Sequence, residues 1–126
     1  MSDALDAYIR TAKQAGCPPG QIGNFLRAGI VLQERQLTAS AAARLCDLPG
    51  GPTEVGYGGA RGGGKSHWGL AQVGADDCQR YPGLKVLVLR KVGKALKEGV
   101  TDLLRRVLGG IAYRWVASEQ TVYFAN

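Results

Sequence analysis

From residue 58 to residue 66 the chain reads Gly-Gly-Ala-Arg-Gly-Gly-Gly-Lys-Ser. A run this rich in glycine continues neither a helix nor a strand, because glycine gives up more backbone freedom on folding than any other residue. It is a loop, and its flanks give it meaning. Thr53-Glu54-Val55-Gly56-Tyr57-Gly58 is a short β-prone run before it. Lys65 to about Arg80 reads as a helix after it, stopped by Tyr81-Pro82-Gly83.

Within that loop Gly59-Ala60-Arg61-Gly62-Gly63-Gly64-Lys65-Ser66 fits the spacing G-x-x-x-x-G-K-[ST] of a phosphate-binding loop. Glycines let successive backbone N–H groups turn inward around an anion, where a Cβ would clash. The helix that follows adds its N-terminal dipole and its unpaired N–H groups. An ammonium at Lys65 can reach the β- and γ-phosphates of a nucleotide, and a hydroxyl at Ser66 can ligate Mg²⁺.

The rest of the chain frames this motif. Residues 3–15 read as an amphipathic helix, with Leu5, Tyr8, Ile9 and Ala12 on one face. Gly16 and Pro18-Pro19-Gly20 end it. A second helix from about Gln21 to Ala28 places Ile22, Phe25 and Leu26 together, and a third from Gln33 to Cys46 carries an Ala-rich stretch. Leu48-Pro49-Gly50-Gly51-Pro52 breaks the chain there. It divides a helical preamble, 1–52, from residues 53–126. Lys85 to Arg90 contains four unbroken apolar residues, the mark of a parallel strand buried on both faces. Lys94 to Leu108 is the clearest amphipathic helix, and Gly109-Gly110 ends it. Ala112–Val116 and Thr121–Phe124 read as two strands around a turn near Ser118-Glu119. Alternation of strand and helix from residue 53 predicts an α/β fold: a P-loop-type parallel sheet with flanking helices, preceded by the small helical segment.

Charge supports an anionic partner. The chain holds 16 Lys+Arg and 10 Asp+Glu, a net of +6. Residues 1–63 carry 6 basic and 5 acidic side chains, and residues 64–126 carry 10 and 5, so the excess lies in the second half. A basic half suits phosphate-bearing ligands. No apolar run approaches the roughly 20 residues of a membrane span. No export signal follows Met1. Cys17, Cys46 and Cys78 are widely spaced and, with His67 the one histidine, form no zinc pattern. A reducing cytoplasm is the expected setting. Cys46 and Cys78 read as buried thiols, Trp68 as a core residue, and His67 as structural. Arg90, Lys91, Lys94 and Lys97 cluster where a sheet-end loop would face a ligand.

A hydrolysing P-loop enzyme needs an apolar strand ending in an acidic residue, often with a catalytic Glu beside it. The 85–89 run ends in Arg90-Lys91, and Asp76 and Asp77 fall within a helix. Glu119 reads as a hairpin residue. Nucleotide binding is therefore better supported than hydrolysis.

Gly58 to Ser66, the Asp76-to-Gly83 helix end, Leu84 to Lys91 and the closing Thr121-Val122-Tyr123-Phe124-Ala125-Asn126 together resemble the ATPase region of a tailed-phage terminase large subunit, over roughly residues 20–126. The resemblance implies the ATP-binding N-terminal portion of a motor that drives double-stranded DNA into a procapsid. It implies ATP and Mg²⁺ as ligands, and a portal protein and small terminase subunit as partners. It also implies a homo-oligomeric ring in the full-length form, in the host bacterial cytoplasm. Gly59, Ala60, Arg61, Gly62, Gly63, Gly64, Lys65 and Ser66 would bind the phosphates, with Ser66 on Mg²⁺. Lys65 and Arg61 would act on the γ-phosphate. Gln36 falls where that family places an adenine-reading Gln. The family's acidic strand motif and nuclease domain do not occur in these residues, so the chain reads as a fragment that stops before them. Two other readings remain: a basic module that holds DNA or another anion without turnover, and a P-loop kinase of small substrates.

Overall fold

The computed structural model describes residues 3–58, 65–88 and 93–126, and of residues 93–100 the backbone alone. Three helices open the chain: α1 (Asp3–Ala15), α2 (Pro19–Ala28) and α3 (Glu34–Leu45). A helical run α4 over residues 65–80 follows, then α5 (Gly93–Leu108) and strands β1 (Tyr113–Val116) and β2 (Thr121–Phe124).

The first two helices end in the same way. Gly16 and Gly29 take the left-handed conformation, at φ +100° and +74°. The next amide then reaches back five residues, Cys17 N–H to the Ala12 carbonyl at 3.1 Å and Ile30 N–H to that of Phe25 at 2.9 Å. This closes the orphan carbonyls of each last turn. Pro19 opens α2 at a position where a missing N–H costs nothing. Two sharp reversals so placed fold α1, α2 and α3 back on one another.

The α4 run is not uniform. Lys65–Leu70 is α-helical, Ala71–Asp77 widens to π geometry, and Cys78–Arg80 returns to α. A π segment closes i→i+5 rings and is rare outside short insertions. Small residues line its packed side: Ala71 and Ala75 are fully buried, and Gly74 lies against the Leu108 and Phe124 side chains, where a Cβ would come within 2.9 Å and 3.3 Å of them.

One hydrophobic core joins all these pieces. Phe25, Ile22 and Ala28 of α2 meet Leu37 of α3, Ala71 and Ala75 of α4, and Leu104, Val107 and Leu108 of α5. Residues on both sides of the 48–52 breaker thus share one core. Leu26, expected beside Ile22 and Phe25, is 36% exposed.

The strands expected at 112–116 and 121–124 form an antiparallel hairpin, with Tyr113 opposite Phe124 and Trp115 opposite Val122. Those four side chains pack against the core. On the outer face the Arg114 guanidinium lies 5.0 Å over the Tyr123 ring. Glu119 belongs to the turn, where it accepts the Tyr123 hydroxyl at 2.5 Å.

The chain is thus mixed helix and strand, and the sheet among the described residues is this hairpin. Residues 53–58 and 85–88, expected as parallel strands, are irregular and carry no strand. A parallel strand draws its hydrogen bonds and its cover from neighbouring strands. Among the described residues no strand pairs with 85–88, and Leu87 stands 79% exposed. The remainder of that expected strand, Leu89 and Arg90, lies outside the described residues.

Candidate nucleotide site

The expected phosphate contacts Gly59, Ala60, Arg61, Gly62, Gly63 and Gly64 lie outside the described residues, as do Arg90 and Lys91. What borders the loop is described. Lys65 and Ser66 are the first two residues of α4, and both side chains are exposed. The first four N–H groups of a helix have no partner within it, so these two residues stand where an anion gains most from the helix end.

The two ends of the loop are fastened together. Tyr57, two residues before it, stacks on Trp68, three residues into α4, with ring centroids 5.2 Å apart and planes 20° from parallel. The Trp68 indole N–H also donates to the Ser40 hydroxyl of α3 at 2.8 Å. An aromatic pair of this kind contributes about 1 kcal/mol beyond the area it buries. It fixes the span that the glycines must cross.

An open groove of about 1020 Å³ runs beside the entry to the loop, between the first half of α3 and residues 55–58. Gln33, Glu34, Thr38 and Tyr57 line it. Gln36 does not. Its side chain is buried, and its Oε1 accepts the Gln33 backbone N–H at 2.8 Å, half of a capping box at the start of α3.

His67 is half-buried. Burial, together with the Arg106 charge, holds its imidazole below the ordinary value. Cys17 is buried, donates to the Leu37 carbonyl at 3.3 Å and is pushed up to about 11, by burial first and then by the Asp76 charge. Cys78 is buried and Cys46 half-buried. Among the described residues no three His, Cys, Asp or Glu side chains gather into a metal-holding group.

The strongest electrostatic feature lies further along α4. Asp76 is fully buried. Arg44 of α3 grips both its oxygens, from Nε at 2.8 Å and Nη2 at 2.7 Å. Asn24 and Gln21 of α2 donate to it at 2.9 Å and 3.0 Å, and Gln72 at 3.0 Å. Gln72 also donates to Asp77 at 3.0 Å. The widened turn makes that possible, since residues four and five positions on both lie over residue 72. Burial alone would raise the Asp76 carboxyl; the Arg44 hydrogen bonds and charge, with the Asn24 and Gln72 amides, hold it below the usual carboxylate range. Asp77 goes the other way: burial, with the Asp76 charge adding to it, outweighs its pairing with Arg80. Arg80 also bonds Asp47 at 2.6 Å and stands 3.4 Å from Asp76.

Comparison with protein-family models, with curated proteins and with solved structures gave no match. Among the described residues no helix is long and apolar enough to cross a membrane.

Sequence reasoning placed a helix start at Lys65 and Ser66, where the structure has it. It missed Asp76, read there as one of two helix acids, and it missed Ser40. Arg44 and Asp76 are 32 residues apart, and no local spacing pairs them. The available signal was weak: Gln21, Asn24, Ser40 and Arg44 are polar residues on helices that carry other polar residues too, Arg27 on α2 and Glu34, Arg35, Gln36 and Thr38 on α3.

Proposed function

We propose that the chain binds Mg²⁺-ATP at residues 59–66, as the nucleotide-binding portion of a double-stranded DNA-packaging motor of the terminase large-subunit kind. The observation that carries this reading is the joining of motif and context. Lys65 and Ser66 open α4 directly after the glycine run, and Tyr57 and Trp68 clamp the two sides of that run. In this reading Lys65 neutralises the β- and γ-phosphates, and the α4 N-terminus receives them with the backbone N–H groups of its first turn. The exposed Ser66 hydroxyl is a hard oxygen donor of the kind Mg²⁺ takes, alongside phosphate oxygens and water. Bound Mg²⁺ would supply charge neutralisation across those phosphates. Arg61 would meet the γ-phosphate. The groove beside Tyr57 is large enough for the nucleoside, with Gln33, Glu34, Arg35 and Thr38 as its polar lining.

The same reading expects residues 53–58 and 85–90 to pair as parallel strands of a P-loop sheet. The motor assignment rests on the sequence resemblance and on the +6 charge, which suits a polyanionic track.

Titration calorimetry with Mg²⁺-ATP tests the site. Binding is expected, with loss of about tenfold or more in Lys65→Ala and a loss of Mg²⁺ dependence in Ser66→Ala. Unchanged affinity in Lys65→Ala overturns the phosphate-loop assignment. Salt-dependent binding to duplex DNA that needs no nucleotide would favour a basic anion-binding module instead.

A further inference from the structure

Ser40 lies within α3, fully buried, and both its oxygens are engaged from outside that helix. Its hydroxyl accepts the Trp68 indole N–H at 2.8 Å. Its carbonyl accepts the Gln21 amide at 2.9 Å, and the same amide nitrogen donates to Asp76 at 3.0 Å. One polar path therefore leads from the Arg44–Asp76 pair, through Gln21 and Ser40, to Trp68. Trp68 stacks on Tyr57, and these two rings stand on either side of residues 59–64. Every link is buried or half-buried, where a hydrogen bond has few competitors and its loss leaves a polar atom unpaired.

We propose that the Ser40–Trp68 hydrogen bond is a positioning contact for the phosphate loop: through it the helices α2 and α3 fix the Trp68 ring, and so the Tyr57–Trp68 clamp that sets the span of the loop. Ser40 touches no nucleotide in this scheme. Its effect on binding passes through the indole. The inference rests on the nucleotide reading above and adds to it a positioning role for buried polar groups of α2 and α3.

A double-mutant cycle on Mg²⁺-ATP affinity tests it in the full chain. Measurements are made at a temperature where circular dichroism shows each variant fully folded. Ser40→Ala removes the acceptor. Trp68→Phe removes the donor and keeps a ring for Tyr57. Each is expected to weaken Mg²⁺-ATP binding about fivefold to tenfold, and the double variant should be no weaker than either single one. In a Trp115→Phe background Trp68 is the sole tryptophan. There the emission change on adding Mg²⁺-ATP should shrink when Ser40→Ala is introduced. Variants that keep full affinity and lose only melting temperature would reduce Ser40 to a packing role and overturn the proposal. So would losses that simply add. If Ser40→Ala fails to fold, Trp68→Phe alone decides, by loss or retention of affinity. A Lys65-independent affinity in the unaltered chain would instead sink the nucleotide reading, and this inference with it.

Discussion

Asp76 is the residue on which most of the buried polar chemistry converges. A carboxylate with no exposure is tolerated because Arg44 meets it bidentately and three amides fill its remaining lone pairs. Asp76→Asn keeps the shape and removes the charge, leaving Arg44 without its partner. The expected loss is about 3 kcal/mol, read from urea denaturation at pH 7. Acid sensitivity follows from two groups. His67 titrates below 6.5 in the folded chain, so as pH falls through 6.5 the unfolded chain takes up the proton first and stability drops. Asp76 acts in the same direction further down: its contribution is complete above 3.8 and is lost as pH falls from there through its lower folded value. Asp77, held above 3.8, partly offsets this, since the folded chain binds its proton first. Melting temperature should therefore decline between pH 7.5 and pH 5.5 in the unaltered chain, and His67→Gln should flatten that decline. An equal slope in both would remove His67 from the account.

At the scale of elements, the packing is set by close backbone approaches that only small residues allow. A Cβ at Gly110 would come within 2.5 Å of the Ala28 carbonyl oxygen, an atom of the backbone that cannot rotate away. Gly110→Ala should cost about 2 kcal/mol by forcing the α5-to-hairpin turn away from α2, seen as a lowered midpoint of chemical denaturation. A midpoint within error of the unaltered chain would mean that the turn shifts freely. Element types were legible where the pattern was local. The helices over 3–15, 21–28, 33–46, 65–80 and 94–108, and the closing hairpin, were all readable from periodicity and stop signals. The strands expected at 53–58 and 85–90 have a weaker basis, because a continuous apolar run states burial without naming what does the burying. The π widening over Ala71–Asp77 has no sequence signature of its own. It accompanies the placing of Gln72 and Asp76 against Gln21, Asn24 and Arg44 while Gly74 lies against Leu108 and Phe124.

At the scale of the molecule, one core spans residue 12 to residue 108. Residues on both sides of the breaker at 48–52 contribute side chains to that core. A chain of residues 53–126 alone would expose Ala71, Ala75, Leu104, Val107 and Leu108 and would strand the Asp76 carboxylate without Arg44, Gln21 or Asn24. It should show no cooperative thermal transition, while the full chain should show a single one that coincides by fluorescence and circular dichroism. A cooperative transition in the shorter chain would mean that residues 53–126 fold without the N-terminal helices.

Four features follow from the order of residues alone: the G-x-x-x-x-G-K-S pattern at 59–66, the helix that Lys65 and Ser66 open, the helix stops, and the basic second half. Each of these is a matter of neighbours along the chain: glycine spacing, a 3.6-residue period, a left-handed turn. Tertiary contacts were needed to show that Gln36 caps its own helix, that Tyr57 stacks on Trp68, and that Asp76 is held by Arg44, Asn24 and Gln21, more than thirty residues away. Those are contacts between helix faces, and burial makes them matter. A carboxylate that water would solvate freely on a surface helix must, in the interior, find every one of its partners on α2, α3 and α4.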